Sequence, residues 1–201
     1  MTKKKNQCIF CGEAADSREH VFAKCFFDTP YPSNMLTVPT CKSCNHSFSL
    51  DEQYLFYLID FLHSVEENKG NSIRELAERT YQHNKNLEDR MFNSIKVDND
   101  GKPYFRFEVE RINRVVLKIA RCLFYFHNGI NIPKEKLRCK WIMKPQLSSE
   151  QLNSIQKIRF NILQEGNVKY YYQKDQKEVW FCIEEFFYVC VQRVDIWEKS
   201  F

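Results

Sequence analysis

The chain has 201 residues, of which 43% are hydrophobic and 28% charged, a composition typical of a soluble globular protein. Only 5 of its residues are glycine, and neither glycine-rich phosphate-binding motif is present, which argues against a nucleotide-binding loop. The start MTKKKNQCIF is basic but has no apolar run behind it, and no stretch approaches the roughly 18 apolar residues of a membrane span. We therefore predict a cytoplasmic protein with no membrane partner.

The first chemical signal is the segment CIFCGEAADSREHVFAKCFFDTPYPSNMLTVPTCKSCNH, residues 8–46. Two C-x-x-C pairs admit a redox site, a structural metal site, or a metal site that holds a catalytic histidine. Cytoplasmic thiols stay reduced, and neither pair opens a helix beside a βαβ pattern, which disfavours the redox site. Two such pairs can complete a tetrahedron of thiolates, the usual structural site for Zn²⁺. The predicted zinc ligands are Cys8, Cys11, Cys41 and Cys44.

The 29-residue loop between the two pairs carries Glu19 and His20, and Asn45 and His46 directly follow the last cysteine. A closed four-cysteine site leaves the zinc itself without chemistry, so these neighbours matter. A carboxylate and an amide or imidazole can share a divalent cation such as Mg²⁺, and a nearby histidine can take a proton from water. The pattern indicates metal-assisted phosphodiester hydrolysis.

The pattern C-x2-C…EH…N…C-x2-C-N, followed by a helix, resembles the HNH endonucleases in their zinc-clipped ββα-metal form, over residues 8–63. The resemblance implies that His20 is the general base. It implies that Glu19 and Asn45 hold a catalytic Mg²⁺ or Mn²⁺. His46, one residue further, could replace Asn45 or contact a phosphate.

The resemblance also assigns Asn34 to the asparagine that holds the loop and orients the histidine. The chain departs from the family pattern at two places. Position 19 is Glu where Asp is commoner, and the interval from Asn34 to Cys41 is longer than usual.

Local signals predict the elements that follow. Ser49-Leu50-Asp51-Glu52 forms a capping box before an apolar helix, EQYLFYLIDFLHSV. Further along, we predict a helix over 72–95, a hairpin over 96–110, a helix over 111–129 that ends at Gly129, a helix over 148–165, and two or three strands over 168–194. The predicted fold class is α+β: an N-terminal ββα-metal finger (1–64) with a structural zinc site, then a mixed helix and strand C-terminal domain (65–201) for substrate binding or dimerisation.

The net charge of +4 is unevenly distributed, because residues 102–145 carry 11 basic and 3 acidic side chains. A local basic surface is the usual footprint of a polyanion-binding protein. Within it, the 111–129 helix places four cations on one face, which either bind phosphates or form an ordinary solvated face. These residues are Arg111, Arg114, Lys118 and Arg121.

Three functions are compatible with the sequence. The first is a Mg²⁺- or Mn²⁺-dependent endonuclease acting on nucleic acid, foremost double-stranded DNA, where duplex cleavage would favour a homodimer. The second is a zinc-ribbon module that binds nucleic acid without turnover. The third is a zinc-stapled protein-interaction domain. Only the nuclease requires Glu19, His20 and Asn45 together.

Overall fold

The structure is a computed structural model that describes residues 7–66, 89–90, 93–173, 175 and 177–194. Its strands are β1 (Ser17–His20), β2 (Thr37–Thr40), β3 (Ile95–Val97), β4 (Pro103–Phe105), β5 (Leu137–Met143), β6 (Asn161–Gln164), β7 (Val168–Tyr172), β8 (Glu178–Ile183) and β9 (Phe187–Arg193). Its α-helices are α1 (Lys42–Ser47), α2 (Ser49–Glu66), α3 (Val109–Asn128) and α4 (Ser149–Gln156). The predicted α+β class is confirmed. None of the helices in the described part of the chain has the length and apolarity needed to cross a membrane.

The N-terminal segment folds in the order strand, strand, helix. β1 and β2 pair antiparallel, with His20 opposite Thr37, and α1 begins directly after β2. Cys41 is the N-cap of α1, where its Sγ accepts a hydrogen bond from the amide of Cys44. Two paired strands are therefore followed by helices, whereas the ββα-metal finger of the HNH family stays a prediction.

The capping box predicted at Ser49 is wrong. The Ser49 hydroxyl donates to the carbonyl of His46, and the Glu52 amide donates to the carbonyl of Phe48. Phe48 is the single residue between α1 and α2. Its backbone carbonyl accepts hydrogen bonds from the amides of Asp51 and Glu52 in the first turn of α2. The predicted apolar helix itself is confirmed.

A five-stranded antiparallel sheet in the order β5-β9-β8-β7-β6 forms the second layer. Two or three strands were predicted over 168–194, and the structure has three, β7, β8 and β9. The helix predicted over 148–165 is correct only as far as Gln156, because the next apolar segment pairs with β7 as the edge strand β6. Strand β5, at the opposite edge, was not predicted.

The two predicted domains share one hydrophobic core. Phe22 of the N-terminal segment packs edge-on against Phe181 of β8, with ring centroids 5.6 Å apart. Helix α3 lies between the N-terminal segment with α2 and the five-stranded sheet, and it carries nine buried side chains. The hairpin predicted over 96–110 is confirmed as β3 and β4. The helix predicted over 72–95 lies almost entirely outside the described residues.

Gly129 ends α3 in the left-handed conformation, with φ of 70°, and its amide donates to the carbonyl of Tyr125. Since a Cβ is unfavourable at this φ, Gly129→Ala should lower the free energy of unfolding by about 1 kcal/mol. Urea denaturation measures this change. An unchanged midpoint would show that the αL cap contributes nothing to stability.

Candidate functional site

The four predicted zinc ligands converge on one point. The Sγ atoms of Cys8, Cys11, Cys41 and Cys44 all lie within 4.8 Å of one another. Those of Cys11 and Cys41 are 3.7 Å apart, close to the edge of about 3.8 Å for a tetrahedron with Zn–S bonds of about 2.3 Å. The cluster can therefore hold a metal ion such as zinc, with residues before β1 and at the start of α1 as its two halves.

The surroundings of Cys8 favour a thiolate. Burial raises the pKa of the Cys8 thiol, but hydrogen bonds from Thr40 and from backbone amides outweigh it and lower the pKa to about 6. The Thr40 hydroxyl lies 3.4 Å from the Cys8 sulfur. Thiolates are the form that binds metal, so the Cys8 sulfur is prepared for a cation.

His20 stands at the end of β1, and its imidazole is only half-buried. Its Nδ1 is buried and has no hydrogen-bond partner in the described chain, whereas its Nε2 is not among the buried unpartnered atoms. Burial lowers the pKa of His20, and the positive charges of Lys24 and Lys118 lower it further. The imidazole is therefore neutral at pH 7, with an open nitrogen that can accept a proton.

Two exposed cations accompany His20. Because side chains alternate along a strand, Arg18 lies on the same face of β1 as His20, while Glu19 lies on the other. Arg18 is held in place by hydrogen bonds to the hydroxyl and carbonyl of Thr37. Lys24 lies close enough to act on the His20 pKa. The sequence analysis missed both as site residues, although the alternation of β1 would have identified Arg18.

Asn45 holds β1 in place. Its Nδ2 donates to the Ser17 hydroxyl at 2.9 Å and to the Arg18 carbonyl at 3.0 Å, which ties α1 to the strand that carries His20. The side-chain oxygen of Asn45 makes no hydrogen bond within the described residues. The role observed for Asn45 is thus to orient the strand, and its predicted role as a metal ligand stays a prediction.

The other two predicted polar residues are exposed. Asn34 makes no hydrogen bond to His20 in the described chain. The buried Nδ1 of His20 has no hydrogen-bond partner there, and the Asn34 side chain makes no hydrogen bond to any described residue. The prediction that Asn34 orients the histidine is therefore wrong for this structure. His46 turns its Nδ1 back to the Lys42 carbonyl, 2.8 Å away on α1.

Glu19 does not occupy the position predicted for a metal ligand. Its side chain is 4% exposed, and Oε1 lies 2.7 Å from the ammonium nitrogen of Lys118. Its Oε2 is buried without a partner. Mg²⁺ keeps several of its waters, so it needs accessible oxygen ligands, and no other carboxylate belongs to the predicted set. The predicted Mg²⁺ or Mn²⁺ site does not fit these residues, and we assign no catalytic step to a divalent ion.

Arg111 and Arg114 were predicted to face solvent, but they reach back to the start of α2. The Nε of Arg111 and a terminal nitrogen of Arg114 each lie 2.6 Å from an oxygen of Asp51. Arg111 also covers the ring of Tyr54, and Arg114 the ring of Phe48. Arg114 remains 48% exposed and is the one of the pair still open to a phosphate.

Lys118 and Arg121 complete the contact between α3 and the N-terminal segment. Lys118 is fully buried, so the prediction that it binds nucleic acid is wrong. Arg121 donates to the carbonyl of Ile9 at 3.0 Å and lies over the ring of Phe10. The predicted phosphate-binding face is thus mainly the surface by which α3 holds the cysteine cluster and β1.

No model of a known protein family matches the chain, and comparisons with curated proteins and with solved structures also give no match. The resemblance to HNH endonucleases therefore rests on the residue pattern in the sequence. The function has to be inferred from the chemistry of the site.

Proposed function

We propose that the chain is an endonuclease that hydrolyses phosphodiester bonds in nucleic acid, with His20 as the general base. The observation that carries the proposal is the placement of His20. It ends a strand braced by a four-cysteine metal site, its imidazole is neutral, and its Nε2 is open beside two cations. A purely structural histidine has no need of this combination.

In the proposed reaction, Nε2 of His20 removes a proton from a water molecule as the water oxygen attacks the phosphorus of the scissile bond. The bond from phosphorus to the leaving sugar oxygen breaks, and that oxygen takes up a proton from solvent. Arg18, on the His20 face of β1, and Lys24 supply positive charge near the imidazole, where they can hold the phosphate and offset charge that develops on its oxygens. A metal ion held by the four cysteines would have no open coordination position, so it would take no part in the reaction beyond joining the segment before β1 to the start of α1.

A second candidate is a zinc-ribbon module that binds nucleic acid without cleaving it. One observation favours it: Glu19, the predicted metal ligand, is sequestered by Lys118. Binding would then come from cations that stay exposed, such as Arg18, Lys24 and Arg114. The two candidates predict different results for a single substitution at His20.

The test is cleavage of supercoiled plasmid DNA and of an RNA transcript, with and without added Mg²⁺ or Mn²⁺. His20→Ala should reduce the cleavage rate by at least about 100-fold, the usual contribution of a general base, while nucleic-acid affinity changes little. The matched control is His127→Ala, which removes an exposed histidine of α3. It should retain the native rate.

Equal cleavage by the native chain and His20→Ala would exclude His20 as the base. Salt-dependent binding by both chains without cleavage would favour the non-catalytic module. The melting temperature of each variant shows whether a lost rate reflects chemistry or unfolding.

A further inference from the structure

A buried ammonium group lies directly behind the strand that carries His20. Lys118 has a side chain with 0% exposure, and its Nζ lies 2.7 Å from Glu19 Oε1 and 2.7 Å from Glu52 Oε1. It also donates to the carbonyl of His20 at 2.6 Å and approaches the carbonyl of Val21 at 3.3 Å. Four oxygens from β1, the residue after it and α2 thus surround one nitrogen of α3.

These four oxygens form the kind of ligand set that holds a hard cation: two carboxylates and two backbone carbonyls. Here the cation belongs to the chain. Burial by itself lowers the pKa of Lys118, but the carboxylates of Glu52 and Glu19 outweigh it and raise the pKa above its ordinary value. The group therefore stays charged, and its three N–H bonds all have acceptors within reach.

The charge balance of the cluster disfavours a second cation. Burial raises the pKa of Glu19, the negative charge of Glu52 adds to this effect, and Lys118 only partly offsets it. A carboxyl group that is buried and already paired with an ammonium is a poor ligand for a hydrated divalent ion. Lys118 of α3 already supplies the positive charge that a metal ion would bring to Glu19.

The same ammonium fixes the backbone of the candidate general base. The bond from Lys118 to the His20 carbonyl joins residues 98 positions apart, and it acts where β1 ends and its pairing with β2 stops. Since the carbonyl and the side chain share one Cα, holding the carbonyl restricts the direction of the imidazole. Asn45 of α1 holds Ser17 and Arg18 at the start of β1, so the strand is held at both of its ends.

We propose that Lys118 is the resident cation of this site: its ammonium, and no divalent ion, is the counter-charge of Glu19, and through the His20 carbonyl it positions the imidazole. The positioning claim rests on the proposed nuclease function. The ion pairing with Glu19 does not depend on it. Lys118 is a positioning residue, because it reaches His20 only through the backbone.

The pairing is tested by a double-mutant cycle on stability, with Lys118→Met, Glu19→Gln and the double variant unfolded in urea. If the two groups are partners, the double variant should unfold at a midpoint no lower than that of Lys118→Met alone. Strictly additive shifts would overturn the pairing. Glu150→Gln, on the exposed face of α4, is the matched control and should be additive with Lys118→Met.

The positioning is tested by NMR of the imidazole Cε1–H groups and by steady-state kinetics. Lys118→Met should move the His20 resonance but leave that of His127 unchanged, and it should lower kcat at least tenfold with KM within about twofold. An unmoved His20 resonance would overturn the positioning. If the native chain shows no cleavage, the nuclease proposal fails, while the NMR comparison still decides the positioning.

A separate measurement tests whether Glu19 binds a divalent ion, and it needs only the isosteric variant Glu19→Gln. Its thermal midpoint and cleavage rate are measured over a series of Mg²⁺ concentrations beside the native chain. We expect the same Mg²⁺ dependence for both chains in each readout. A tenfold rise in the Mg²⁺ concentration for half-maximal cleavage, or a Mg²⁺ stabilisation lost in Glu19→Gln, would make Glu19 a metal ligand and overturn the proposal.

Discussion

Replacing Cys41 with serine is expected to remove the metal from the four-cysteine cluster and to unfold the N-terminal segment. β1 and β2 have only four residues each, and α1 has six with none of its side chains buried. Such short elements have little apolar surface of their own to stabilise them. Structural zinc contributes roughly 10–16 kcal/mol in small zinc-dependent folds, comparable with the entire stability of a domain.

The measurement is the zinc content per chain after gel filtration, together with thermal unfolding followed by circular dichroism. Native protein should carry one zinc ion per chain, and Cys41→Ser should carry much less and melt at a lower temperature. Cys190→Ser is the matched control, because Cys190 lies in β9, outside the cluster, and should keep both zinc and midpoint. Full zinc content in Cys41→Ser, with a native midpoint, would show that the cluster is not the metal site.

Local signals in the sequence were sufficient for part of the fold. The spacing within and between the C-x-x-C pairs was enough to predict the convergence of their sulfurs, because each pair occupies one tight turn. Gly129 was identified as the end of α3 because a left-handed cap follows directly from its residue type. Ser148 likewise begins α4 as its N-cap. In each case the decisive contacts span only a few residues.

Non-local pairing explains the errors. The apolar residues near β6 have the composition of a helix or a strand, and only the free edge of β7 decides between them. The basic face of α3 was a similar case. Helical periodicity identified which residues share a face, but not that a second layer covers this face. A helix between two layers needs one apolar face and one polar face whose charges are paired.

One sequence signal could have revealed the buried charges. Asp51 and Glu52 lie just before the apolar run of residues 54–59 in α2, and both are buried in the structure. Buried carboxylates require a counter-charge, since an unpaired one is costly to desolvate. The four cations predicted on one face of the 111–129 helix were suitable partners for them. Interpreting Ser49-Leu50-Asp51-Glu52 only as a capping box left that pairing undetected.

Asp51→Asn should therefore be among the most destabilising single substitutions on the polar side of α3. The Asp51 side chain is 11% exposed and bonds to two arginines, of which Arg111 is 17% exposed. Loss of the charge leaves the largely buried Arg111 guanidinium with Glu108, 3.6 Å away, as its remaining carboxylate, and we expect about 3 kcal/mol less unfolding free energy. Arg114→Ala should cost about 1 kcal/mol, because Arg114 is half-exposed and solvent screens its pair with Asp51.

Urea unfolding of the metal-loaded chain gives these differences, and Glu150→Gln again provides the exposed control, with an expected change below about 0.5 kcal/mol. The ranking is the informative result. If α3 holds the N-terminal segment through these ion pairs, Asp51→Asn should exceed Arg114→Ala, and both should exceed the control. Asp51 is linked to Lys118 only through its neighbour Glu52, whereas Lys118 bonds the His20 carbonyl directly. Asp51→Asn should therefore shift the His20 imidazole resonance less than Lys118→Met does. The reverse order would mean that the arginine pairs, rather than the buried ammonium, orient the end of β1.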